Sequence, residues 1–91
     1  MLSMTSPHYQ LLAEIIGNQP GCALEPDDTQ DRATLTNPNG WTMTLTDTEV
    51  HFRRPDGAWA VEPRPKPKRL EKLAQGFAAG NGMGIGWQTQ R

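Results

Sequence analysis

Two short segments punctuate the middle of the chain in the same way, Asn37-Pro38-Asn39-Gly40 and Arg54-Pro55-Asp56-Gly57. Proline presets φ at the second turn position, Asn or Asp suits the third, and glycine accepts the left-handed backbone that closes the turn. Each therefore predicts a hairpin with a three- to four-residue loop. The flanking residues alternate. Ala33 and Leu35 interleave with Thr34 and Thr36, and Trp41, Met43 and Leu45 with Thr42, Thr44 and Thr46. Val50 and Phe52 interleave with His51 and Arg53, and Trp59 and Val61 with Ala58 and Ala60.

The apolar set is odd-numbered through Leu45 and even-numbered from Val50. One straight strand cannot hold both sets on one face. A turn near Thr46-Asp47-Thr48-Glu49 removes the conflict. The pattern predicts a four-stranded antiparallel meander at 31–36, 41–46, 49–54 and 58–62. Its Leu/Met/Trp/Val/Phe face, Trp41 and Trp59 included, is expected in the core. Its Thr-rich face, with His51 and Arg53, is expected to meet water.

Helical signals bracket the meander. Ser6-Pro7 offers a capping hydroxyl and a proline at the first helical position. Tyr9, Leu12 and Ile16 recur at helical spacing, and Gly17, Asn18 and Pro20 mark the stop, so a helix is predicted over 7–17. Residues 18–30 read as an acidic, turn-rich loop, in which Cys22, Ala23 and Leu24 offer a short extended piece. Residues 63–69 alternate proline with base and favour an extended connector. Leu70, Leu73, Ala74 and Phe77 then predict a helix over 68–79, ended by Gly80. The fold class expected is α+β, with both helices on one face of the meander. Residues 1–79 form one domain in this reading. Residues 80–91 form a Gly-rich tail, docked or partner-binding through Met83, Ile85 and Trp87.

Composition narrows the function classes. Ninety-one residues fit one domain. No apolar run reaches the ~20 residues of a membrane helix. The first residues lack a basic region followed by an apolar one, so no secretory signal is indicated. One cysteine excludes an internal disulfide framework. A cytoplasmic location is expected. The formal net charge of -1 hides a split: residues 1–50 carry one basic side chain and seven acidic ones, and residues 51–91 carry eight basic and three acidic. Such asymmetry points to a charged partner.

The chemistry-bearing residues are sparse. Cys22, His8 and His51 lack the paired spacing of a zinc site, so no metal is expected. Cys22 and His51 could formally pair as nucleophile and base, but nothing local activates the thiol. The glycines from Gly80 to Gly86 miss the G-x-G-x-x-G spacing and precede no Gly-Lys-Ser/Thr. No catalytic set and no cofactor are expected. Two surfaces remain. One is acidic: Asp27, Asp28, Asp31, Asp47 and Glu49. The other is basic: Arg53, Arg54, Arg64, Lys66, Lys68, Arg69 and Lys72. The sequence reading is a non-enzymatic protein-interaction module, a small inhibitor or accessory factor of phage, mobile-element or bacterial type acting through charge complementarity. The alternative is a nucleic-acid-binding accessory protein using residues 53–72.

Overall fold

The computed structural model describes residues 7–17, 19–27, 32–80 and 85–89, with backbone alone for 26 and 27. Two α-helices lie against one antiparallel sheet. In chain order the elements are α1 (Pro7–Ile16), β1 (Ala23–Asp27), β2 (Arg32–Thr36), β3 (Thr42–Leu45), β4 (Glu49–Arg53), β5 (Trp59–Pro63) and α2 (Pro67–Ala78). The sheet has five strands in sequential order β1-β2-β3-β4-β5, one more than the alternation predicts. The added strand is β1, where Leu24 pairs with Leu35 and Pro26 with Ala33. Proline donates no hydrogen bond, and an edge strand is where a ladder tolerates that loss.

The two punctuation marks build the same turn. Asn37 N–H donates to the Trp41 carbonyl at 2.9 Å, and Gly40 N–H to the Asn37 carbonyl at 2.9 Å. At the equivalent places Arg54 N–H donates to Ala58 at 2.8 Å, and Gly57 N–H to Arg54 at 3.0 Å. Gly40 and Gly57 have φ of 81° and 97°, a region a side chain would strain.

The core forms on one side of the sheet. Leu35, Met43, Leu45 and Val50 are fully buried with Phe52, beneath Leu12 of α1 and Leu70, Ala74 and Phe77 of α2. Both helices therefore share a face, as the pattern implies. Trp41 is half-buried and packs against this core.

Strand β5 departs from the expectation. Phe52 opposes Ala60, and Arg53 opposes Trp59. Opposed residues share a face, so the small Ala58 and Ala60 are buried at 1% and 2% exposure. Trp59 and Val61 turn to the opposite face, and Val61 is 44% exposed. The core assignment of Trp59 and Val61 is thus corrected. The five-residue loop fixes the pairing, and register outranks side-chain size.

Helix α1 begins on Pro7 and ends at Gly17, whose N–H donates to Ala13 at 3.0 Å. Ser6 lies outside the described residues. Helix α2 begins on Pro67 without a side-chain cap and ends at Gly80, φ 92°, whose N–H reaches the Phe77 carbonyl at 2.9 Å. Asn37 is 2% exposed and joins the first turn to this helix end. Its Nδ2 donates to the Phe77 carbonyl at 3.0 Å, and its Oδ1 accepts from Asn39 N–H at 2.9 Å and Trp41 N–H at 3.0 Å.

Candidate functional site

The side of the sheet away from the helices carries the most distinctive surface. Strand alternation and register place its side chains in rows. Glu25, Thr34, Thr44, His51 and Val61 form one row. Thr36, Thr42, Arg53 and Trp59 form the next. Thr34 and Thr44 hydroxyls lie 3.0 Å apart across the pair. Between the rows is a shallow hollow of about 310 Å³, floored by threonines and walled by His51, Arg53, Trp59 and Val61, with Arg32 at its margin. Hydroxyls, two guanidiniums, an imidazole and an indole face give it donors, positive charge and a flat apolar wall.

Of the acidic set, Asp47 and Glu49 have described side chains. Asp47 is exposed in the β3–β4 turn, where its Oδ1 lies 2.9 Å from Nε2 of buried His8, at an angle that makes no regular hydrogen bond. On the other ring nitrogen, Nη1 of Arg64 sits 3.2 Å from His8 Nδ1. A guanidinium only donates, so Nδ1 is the acceptor of that contact. Glu49 pairs with His51 at 3.0 Å. The side chain of Asp27, and Asp28 and Asp31 entirely, lie outside the described residues.

The basic set divides. Arg53 faces the open side of the sheet. Arg64 also donates to the Thr46 carbonyl at 3.0 Å and ties the chain entering α2 to the β3–β4 turn. Lys66, Lys68, Arg69 and Lys72 are exposed on the helical layer, across the sheet from Arg53. Arg54 is committed elsewhere. Its Nε and Nη2 donate to the two carboxylate oxygens of Asp56 at 3.1 and 2.6 Å. Its guanidinium lies 4.9 Å from the Trp87 ring centroid and 5.6 Å from that of Trp41. The hydrogen bonds from Arg54, and then from Ala58 N–H, hold the Asp56 carboxyl down to about 2. The same bond raises the Arg54 pKa.

The tail residues meet that cluster. Ile85 is 8% exposed. Trp87 packs edge-on to Trp41 with centroids 5.5 Å apart and to Phe52 at 6.2 Å. Gln88 and Trp59 exchange two backbone hydrogen bonds, of 2.9 and 2.7 Å, on the outer edge of β5. Met83 lies outside the described residues.

Cys22 and His51 stand on different layers. The thiol donates to the Ala78 carbonyl at 3.1 Å on the core side, and burial pushes its pKa up. His51 faces the hollow. Among the described residues no group of three or more His, Cys, Asp or Glu is placed to hold a metal ion, and no helix is long and apolar enough to cross a membrane.

Comparison with protein-family models, curated proteins and solved structures gives no match to this chain.

Charge and alternation in the sequence place Arg53 on this face but do not single out Trp59, Val61 and the threonine floor beside it. The signal was present in the twin turns. Equal loops imply equal pairing, and Thr36 opposite Thr42 fixes Arg53 opposite Trp59.

Proposed function

We propose that the protein is a protein-interaction module that meets its partner through the open face of the sheet, around Arg53, Trp59 and Val61. The outward register of β5 carries this reading. It sets an indole beside a guanidinium over a flat hydroxyl-bearing floor, and adds Val61, the exposed large apolar side chain of the described residues. Tryptophan and arginine are the side chains that most often anchor protein interfaces. An antiparallel sheet buried on one side only leaves such a face available.

An inhibitory or accessory role acting through charge is a narrower form of this reading. The engagement of Asp47 with His8 and of Glu49 with His51 gives it less support than the sheet face has. Nucleic-acid binding through residues 53–72 needs its cations on one surface. Their division between the sheet face and the helical layer weighs against it.

The test is site-directed photocrosslinking in lysate of the source cell. A benzoylphenylalanine at position 61 gives a discrete protein adduct, whereas one at position 68 gives none. Trp59→Ser removes the adduct while circular dichroism stays native, with an expected affinity loss of about thirtyfold for a central anchor. Adducts arising from position 68 alone refute the sheet-face reading. So does a salt-steep affinity for nucleic acid that Lys68→Ser and Arg69→Ser abolish.

A further inference from the structure

The outer edge of β5 is half used by the chain's own tail. Trp59 donates to and accepts from Gln88 there. Alternation points the N–H and C=O of Val61 to the same edge, where no backbone group meets them among the described residues. Gly86 would stand opposite Val61 if the ladder continued. Instead Gly86 N–H lies 3.5 Å from Glu62 Oε2, and Trp87 N–H closes on the Ile85 carbonyl at 2.9 Å. This tight turn carries the tail off the edge as it arrives from the end of α2.

The receptor for the tail belongs to the rest of the chain. Trp87 sits against Trp41, Phe52 and the Arg54 guanidinium, all within residues 41–54. Four of the seven residues from Gly80 to Gly86 are glycine.

We infer that this edge and its aromatic socket form a strand-addition site that accepts residues 85–88 of a second copy of the chain in place of its own. Every contact of the docked tail can form identically in trans, the condition for segment exchange. A tail from a second copy does not have to return from α2 of the same body. It can run straight past Gly86, exchanging the Ile85–Trp87 turn and the Gly86–Glu62 contact for the two hydrogen bonds that Val61 offers, the usual mode of strand addition. The occupant is set by the chemistry of the site: an aliphatic and a tryptophan two residues apart, followed by a residue whose N–H and C=O pair with Trp59.

The probe is a dye-labelled peptide of residues 84–90, Gly-Ile-Gly-Trp-Gln-Thr-Gln, titrated by anisotropy into the full chain. In the wild type the attached tail competes at an effective concentration on the order of millimolar. Two variants disable that tail: Trp87→Ala empties the socket, and Gln88→Pro removes the N–H that reaches Trp59. Both bind the peptide at least about tenfold more tightly than the wild type does, the gain expected when a tethered competitor is lost. A peptide with alanine for tryptophan does not bind. Wild-type chain at millimolar concentration sediments partly as a dimer, and Trp87→Ala does not. The inference is overturned if natively folded Trp87→Ala and Gln88→Pro ignore the peptide, or if they bind it no better than the wild type. A wild type that stays monomeric at millimolar concentration overturns it equally.

Discussion

Asn37→Ala tests the junction between the first hairpin and α2. Asn37 is 2% exposed, and its side chain serves three partners: the Phe77 carbonyl, Asn39 N–H and Trp41 N–H. Each such bond contributes about 0.5–1.5 kcal/mol net, and a partner left buried and unpaired costs about 1–3 kcal/mol. Asn39 is exposed, so its N–H can turn to water. The Phe77 carbonyl loses one of two bonds and keeps the one from Gly80 N–H at 2.9 Å, whereas Trp41 N–H lies deeper and loses its acceptor. The loss expected is about 3 kcal/mol, a large share of the ~5–14 kcal/mol that a chain of this size possesses. Thermal unfolding then falls by roughly 12–24 °C, at about 4–8 °C per kcal/mol. Urea unfolding by circular dichroism measures the loss directly. Asn39→Ala is the control, because it removes one exposed bond to the Gly80 carbonyl at 3.2 Å and should cost under about 1 kcal/mol. Equal losses for the two variants, or a loss below about 1 kcal/mol for Asn37→Ala, refute the assignment of Asn37 as the link.

Phe77→Ala removes a fully buried ring lying 5.5 Å from Phe52 and 6.4 Å from Trp41, and should cost about 3–5 kcal/mol in the same urea experiment. Gly40→Ala and Gly76→Ala should move stability in opposite directions. At Gly40 the new methyl group meets Pro55 at an ordinary 3.5 Å but φ is 81°, a strain of about 1–2 kcal/mol, whereas Gly76 lies inside α2 with open space and gains about 0.5–1 kcal/mol. Asp56 is held at about 2 against an ordinary 3.8, so its contribution is fully present above about pH 4 and is lost as pH falls through 2. Acid titration of stability should show Asp56→Asn less stable at neutral pH and the difference gone below pH 2.

Much of this fold is legible in the sequence, because period and punctuation agree there. The parity change between Leu45 and Val50 locates the β3–β4 turn, and the stripes from Tyr9 and Leu70 locate both helices within a residue or two. Strand β1 escapes because Cys22-Ala-Leu-Glu-Pro-Asp shows no alternation, and its pairing is supplied by β2 rather than by its own pattern. Trp59 escapes for a different reason. Bulk suggests the interior for a tryptophan flanked by alanines, but the hairpin loop had already set which residues oppose Phe52. Of the surfaces read from charge, Arg53 reaches the candidate face. Arg54 is drawn into bonds with Asp56, two residues on, and Arg64 into bonds with His8 and the Thr46 carbonyl, which only the folded chain brings near. Linear charge counting carries no information on which cations a fold consumes internally.

The Asn37–Phe77 bond spans 40 residues, and this separation orders events along the chain. Both hairpins can zip from their own turns, yet the groups around Asn37 stay wet until residue 77 arrives. A nascent chain lacking α2 is thus an unfinished clasp, and pulse-labelled hydrogen exchange should find the Trp41 amide protected after the strands, together with the last helix.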